Sequence, residues 1–244
     1  KRLQGNPIPV PWGSGRENHV ADSFMDKIVE ISGLRKVYMQ GHEQIIVLEE
    51  LDFSISRGEF VSIVGPSGSG KSTLLNIIGL LDNAYSGEIK FFGRRLEELD
   101  ESGKAVLRLK NIGFVFQFDS LLPEFTVLEN IEMPARLLGG EIPGSGLELL
   151  KRFDLEAIAG KFPMEISGGE KQRAAMLRAL RNSPALLIAD EPTGNLDRHN
   201  SGVILDDLRR AAGMGAAALM VTHNEEAARR ADRILRMSGG RLSG

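Results

Sequence analysis

The sequence contains no cysteine, which excludes disulfides, thiolate zinc sites and cysteine nucleophiles and fits a reducing compartment. It also lacks any apolar run near the roughly 20 residues a membrane-spanning helix needs. The densest run, Leu74 to Leu81, is broken by Asn76 and Gly79. An excess of one charge is missing too: 30 Lys and Arg against 33 Asp and Glu leave a net charge of -3. That balance argues against a surface built wholly to hold a phosphate backbone, and no nucleic-acid partner is expected. Internal repeats, low-complexity tracts and sustained heptads are absent as well. What is there is ordinary globular composition, 42% hydrophobic and 26% charged over 244 residues. The length suits one large domain or two small ones.

Residues 1–24 are rich in Pro, Gly and polar side chains and show no periodicity. They carry no signal-peptide pattern. A flexible leader is expected there, either an artificial addition before a natural start at Met25 or a natural disordered extension. From Met25 onward, short apolar or alternating runs separated by turn residues predict strands at Lys27–Ile31, Ile45–Leu48, Leu51–Ile55, Phe60–Val64 and Glu88–Phe92. A helix is predicted from Lys71 to about Leu81. The middle is expected to be mostly helical, with helices at Leu96–Leu109, Val127–Leu138 and Leu147–Phe153 and one strand at Ile112–Phe116. The loop Gly139–Gly146 is too rich in Gly and Pro for regular structure. The last third alternates: helix Glu170–Arg181, strand Ala185–Ala189, helix Ser201–Ala212, strand Ala216–Val221, helix Asn224–Arg230 and an edge strand near Ile234–Met237. Such alternation implies an α/β fold with a parallel sheet.

Gly65-Pro66-Ser67-Gly68-Ser69-Gly70-Lys71-Ser72 fits the pattern G-x-x-x-x-G-K-[ST], between an apolar strand and a helix. The glycines let backbone N–H groups curl around a phosphate chain, and the helix N-terminus adds positive potential. Lys71 is placed to bridge β- and γ-phosphates and Ser72 to put its hydroxyl on magnesium. A second feature is the apolar strand Ala185–Ala189 ending in Asp190 and Glu191. Its end is the carboxyl edge of a parallel sheet, where ligands of open α/β folds sit. Asp190 suits a magnesium site, and Glu191 can polarise water for attack on a γ-phosphate. Two solvated acids at a strand end are the plainer alternative. A third feature is Ser167-Gly168-Gly169 before a helical run, about two dozen residues ahead of Asp190. Alone it is most often a helix cap. Beside a complete phosphate cradle it suggests a second one, meeting a nucleotide held by another copy of the domain.

With Ile166-Ser-Gly-Gly-Glu170 in this place, the chain from Met25 to Gly244 resembles the ABC ATPase family, whose signature reads LSGGQ. Ile166 stands for the usual leucine and Glu170 for the usual glutamine. The resemblance implies a P-loop core with an N-terminal antiparallel β portion and an inserted helical subdomain at roughly 96–181. It places Tyr38 against adenine, though a half-buried strand tyrosine is a serious alternative. It extends the cis nucleotide site through Thr73 and assigns Ser167, Gly168, Gly169 and Glu170 to a nucleotide in trans. Gln117 falls at the Q-loop, Asn195-Leu196-Asp197 at the D-loop, and His223 at the switch histidine. Lys71, Gln117, Glu191 and His223 are then the catalytic set, and Ser72, Gln117 and Asp190 the magnesium set. ATP and Mg2+ are the implied ligands, and an ATP-sandwich dimer of two copies is the implied assembly.

Residues Phe114–Asn130 resemble the ATPase subunit of lipoprotein-releasing transporters, whereas ADEPTGNLD at Ala189–Asp197 is shared with macrolide-exporter and cell-division relatives. Asp119-Ser120 stand where the first branch commonly carries paired histidines. The resemblance implies a peripheral protein on the cytoplasmic face of a bacterial inner membrane, powering a separate permease in lipoprotein release. The alternative is a macrolide-exporter-like or cell-division ATPase. Phe118, Leu121, Leu122, Pro123 and Phe125 form an apolar loop patch suited to a helix of that permease, or to packing the helical subdomain. A small-molecule kinase does not explain the Ser-Gly-Gly, and no Asn-Lys-x-Asp element points to GTP.

Overall fold

The computed structural model describes residues 27–117, 120–139 and 144–244. The expected leader, Phe118, Asp119 and residues 140–143 of the expected loop lie outside the described residues. Two long antiparallel strands, β1 (Lys27–Gln40) and β2 (Glu43–Ser56), open the fold. The runs expected as two strands, Ile45–Leu48 and Leu51–Ile55, are one. Glu50 at φ 48° and register shifts near Leu34 and Lys36 bend the pair without ending it. After β3 (Phe60–Val64), which enters a second sheet, β4 (Ser86–Phe91) pairs with β1 and β5 (Arg94–Arg95) pairs with β4.

The second sheet adds β6 (Ile112–Val115), β7 (Leu186–Asp190), β8 (Ala217–Thr222), β9 (Arg233–Ser238) and β10 (Arg241–Ser243). Their order is β10-β9-β3-β8-β7-β6, with β9 through β6 mutually parallel and β10 antiparallel on β9. The strand expected at the edge, Ile234–Met237, is therefore interior. The edge is β10, which returns through Gly239 and Gly240, both at positive φ.

Seven helices connect these strands among the described residues: α1 (Lys71–Ile78), α2 (Glu101–Asn111), α3 (Val127–Leu138), α4 (Gly146–Arg152), α5 (Gly168–Leu180), α6 (Arg198–Gly213) and α7 (Glu225–Ala228). Caps decide where several of them begin. Expected as one helix, Leu96–Leu109 breaks into a short 3-10 turn and α2, because the Asp100 carboxylate accepts from Gly103 N at 2.7 Å. Asp197 starts α6 three residues ahead of the expected Ser201, and Ser167 starts α5 two ahead of Glu170.

Strand alternation splits the core by face. Val61 and Ile63 of β3, Leu186 and Ile188 of β7, and Leu219 and Val221 of β8 pack with α1 and the antiparallel sheet. Phe60, Leu187, Ala189, Ala218 and Met220 point the other way, into a second cluster with α3, α5 and α6. The parallel sheet thus lies between two apolar layers, and its carboxyl edge is left for loops. Within the stretch 96–181, β6 is a strand of this sheet, paired with β7.

Candidate functional site

Because β3, β6, β7 and β8 are parallel, their carboxyl ends share one edge of the sheet. Gly65 follows β3, Gln117 lies just past β6, Asp190 ends β7 with Glu191 next, and Thr222 ends β8 with His223 next. Five residues expected to act together from sequence therefore leave neighbouring strands on the same side.

Residues 65–73 form a tight loop running into α1. Gly70 caps α1 at φ 106°, and Gly68 sits at φ 77°, conformations that exclude ordinary side chains. A Cβ on Gly65 would collide with the Met237 carbonyl, and one on Gly70 would lie 2.8 Å from Val47 O. The loop is thus locked between β9 and β2. Lys71, only 8% exposed, donates from Nζ to Gly65 O at 2.8 Å and to Pro66 O at 2.9 Å. Those two carbonyls hold the ammonium over the mouth of the loop. Ser69 Oγ is buried with no hydrogen-bond partner, while Pro66, Ser67, Gly68 and Ser72 are exposed and Thr73 half-buried. Six of the α-helices begin with a side-chain cap, namely Asp100, Thr126, Ser145, Ser167, Asp197 and Asn224. α1 has none, and no acidic residue in its first turn. Its free N–H donors, the adjacent ammonium and the orphaned hydroxyl make an anion cradle.

Beside the cradle stand two carboxylates with different surroundings. Burial pushes the Asp190 carboxyl above its ordinary range, against a hydrogen bond from the Ser72 side chain and the charge of Lys71, while Glu191 adds to the rise. A cation between Ser72 and Asp190 would relieve that cost, and a side-chain hydroxyl plus one carboxylate is a donor set that fits magnesium held jointly with substrate phosphates. Among the described residues no cluster of three or more His, Asp or Glu offers an all-protein site. Glu191 is fixed by different contacts. Its Oε1 lies 2.9 Å from His223 Nδ1, Thr222 Oγ1 donates to its Oε2 at 3.1 Å, and its backbone N–H donates to Val221 O at 3.0 Å. Its φ of 47° is rare for a non-glycine residue, and these contacts over-determine it. Thr222 went unnoticed in the sequence; its position between the strand and His223 was the available signal.

Tyr38 is 42% exposed on β1, so the alternative of a half-buried strand tyrosine stays open beside a ring available to a base. It pairs with Ile45, two residues before the Val47 that backs Gly70. Its hydroxyl donates to Asp82 Oδ2 at 3.1 Å, and Lys36 Nζ sits 4.7 Å from its ring centroid. Burial alone would raise the Asp82 carboxyl, but hydrogen bonds from Lys36, Ala84 N and Tyr38 outweigh it and hold it low. Gln117 is exposed and meets the turn after Glu191: Asn195 Nδ2 donates to its carbonyl at 3.4 Å, and its Nε2 would lie 3.1 Å from a Cβ on Gly194.

Ser167 caps α5 by a reciprocal pair. Glu170 N donates to Ser167 Oγ at 3.3 Å, and Glu170 Oε2 accepts from Ser167 N at 2.8 Å and from Ser167 Oγ at 2.7 Å. These bonds hold the Glu170 carboxyl below its ordinary value, the side-chain bond first. Gly169 abuts Asn200 of α6, where any Cβ would collide with the amide, whereas a Cβ on Gly168 would meet nothing within 4 Å. Sequence reasoning also missed Gln172, whose Nε2 donates to Phe116 O at 2.7 Å and ties α5 to the strand end before Gln117. Of the apolar loop patch, Leu121 is buried in the helical cluster and so packs the fold, while Phe125 is half-buried. Leu122 and Pro123 remain exposed, as does Phe116, which lay outside the expected patch.

Comparison with known proteins agrees with this geometry. Residues 48–194 match the family model described as ABC transporter. The chain is 41% identical over 222 residues to the lipoprotein-releasing system ATP-binding protein LolD of Zymomonas mobilis strain ZM4, covering 89% of this chain and 95% of that protein. The LolD of Zymomonas mobilis strain ZM1 is 40% identical over the same shares. Among solved structures, the ATP-binding cassette MJ0796 is similar both as a post-hydrolysis dimer bound to ADP and Pi, with a TM-score of 0.78, and as a dimeric bacterial ABC transporter cassette, with a TM-score of 0.79. Each is 38% identical and covers 88% of this chain and 97% of the other. The chain belongs to the ABC transporter family, as an ATP-binding cassette.

Proposed function

We propose that this chain hydrolyses ATP as one of two identical cassettes and drives a separate membrane permease in lipoprotein release. The uncapped start of α1 beside Lys71 and the orphaned Ser69 hydroxyl carries the nucleotide assignment. Residues 65–73 bind the phosphates, Lys71 facing the β and γ groups, and Tyr38 offers its exposed ring to the base. Ser72 and Asp190, with Gln117, hold Mg2+, which when bound neutralises charge on the phosphates. Glu191 accepts hydrogen bonds that aim its carboxylate and leave it able to take a proton from the attacking water. His223, against Glu191 Oε1, orients that carboxylate and reaches toward the γ-phosphate.

Ser167, Gly168, Gly169 and Glu170 act on the nucleotide of the second copy. The dimeric state of the similar cassettes supports that assembly. The cargo reading rests on the two LolD relatives, and it implies a place against the inner membrane although no described helix is long and apolar enough to cross one. Exposed Phe116, Leu122 and Pro123 are the surface for a permease helix. Purified chain should hydrolyse ATP, and it should co-purify with a permease from detergent-solubilised membranes. Purification with a permease that does not release lipoprotein would favour the exporter or cell-division alternative.

A further inference from the structure

A largely buried cation of α5 lies outside the site described above. Arg173, one turn beyond the start of α5, donates from Nε to Asp207 Oδ2 of α6 at 2.7 Å and from Nη2 to the carbonyl of Phe153, the residue that caps the C-terminus of α4. Both members of the ion pair are largely buried, at 18% and 9% side-chain exposure. The Phe153 ring is itself covered by Arg210 of α6, whose guanidinium lies 4.8 Å from the ring centroid. Burial raises the Asp207 carboxyl, opposed by Arg173. Four residues before Arg173, Gly169 meets Asn200 near the start of α6, and Asn200 is held by the D-loop residue Asp197. Three elements meet at one planar guanidinium whose fork fits a carboxylate and a helix-end carbonyl at once.

We propose that Arg173 is a positioning residue for hydrolysis: by fastening α5 to α6 and to the end of α4, it fixes the direction in which Ser167–Gly169 faces the second copy. This rests on the reading that those residues act in trans. The P-loop shares none of these contacts, so loss of the joint leaves the cis cradle as it is and misaligns the composite site. A displacement of about 1 Å at a reacting group can cost on the order of 100-fold in rate.

Truncating Arg173 alone strands a buried carboxylate and threatens the fold. The main test is therefore the double variant Arg173→Met/Asp207→Leu, which replaces the pair with apolar side chains of similar size. It should fold, bind ATP as a monomer with wild-type affinity, lose about 10- to 100-fold in kcat with KM little changed, and form the ATP-dependent dimer weakly. Arg173→Lys keeps the charge on Asp207 but loses the fork to Phe153 O, and should fall between wild type and the double variant. Wild-type kcat and dimerisation in a folded double variant would overturn the proposal. Ser167→Arg, assayed in parallel, separates the two readings. If it leaves hydrolysis intact, the trans reading fails; if it abolishes hydrolysis while the double variant is unaffected, only the role of Arg173 fails.

Discussion

Two helix starts in this chain carry glycines and a hydroxyl, and they are finished differently. At α1 no side chain caps the first turn, Gly65 and Gly70 are walled in by Met237 and Val47, and a buried hydroxyl goes unpaired. At α5 the cap is complete, since Ser167 and Glu170 satisfy one another, and Gly168 faces open space. The first is a cradle shaped to closeness inside the chain and open to an anion. The second is satisfied in a single copy, and its glycine at 168 is not required by any neighbour within the chain. Such a contrast is what a composite site demands: one half built to hold ligand alone, the other stable until a partner arrives.

The largest break falls on the cis half. Glu191→Gln keeps the cradle but removes the carboxylate proposed to accept the proton, so kcat should drop by about 100-fold or more while ATP still binds. Steady-state turnover beside equilibrium nucleotide binding checks this. Lys71→Ala removes the ammonium proposed to face the phosphates, and affinity should fall by roughly 10-fold or more together with turnover. Unchanged affinity in a titration would remove Lys71 from the cradle.

A pair of glycine variants sharpens the comparison. Gly65→Ala forces a methyl into the Met237 carbonyl and should cost about 1–3 kcal/mol in urea unfolding along with ATP binding. Gly168→Ala meets open space and should leave unfolding within about 0.5 kcal/mol of wild type. If turnover is measured as well, Gly168→Ala should lower it without weakening monomer binding. Equal unfolding costs for the two would erase the distinction between the two starts.

The smallest effect concerns Glu170. Its carboxylate and the Ser167 hydroxyl form a capping box, so Glu170→Ala should cost about 0.5–1 kcal/mol and Glu170→Gln, which can still accept from Ser167 N but lacks the charge, less than that. With the folded pKa depressed below 4.5, the contribution of the carboxylate is present above that value and fades as pH falls through the lower folded one. Urea unfolding of wild type and Glu170→Gln at neutral and acid pH checks both points.

Much of this was legible in the sequence because local chemistry governs it. The spacing of Gly65, Gly70 and Lys71, the apolar run into Asp190, and the period of Val127–Leu138 each speak for themselves. Long-range pairing was less legible. The junction of Ile45–Leu48 with Leu51–Ile55 depends on a bend that β1 stabilises across the ladder, and β10 is too short to signal before it pairs with β9. Helix starts were misplaced by two or three residues where Ser167 and Asp197 cap ahead of the apolar pattern. Contacts made across the fold, such as Thr222 on Glu191 and Arg173 on Asp207, leave no mark in local pattern.

Ser167 serves either its own nucleotide or that of a second copy, and Ser167→Arg decides which. The variant loses a cap worth about 1 kcal/mol, which the fold should tolerate. ATP binding is measured on dilute monomer and hydrolysis at dimer-forming concentration. Wild-type monomer affinity with hydrolysis abolished is the expected result. Loss of ATP binding by a folded monomer would place the Ser-Gly-Gly in cis and contradict the two-copy site.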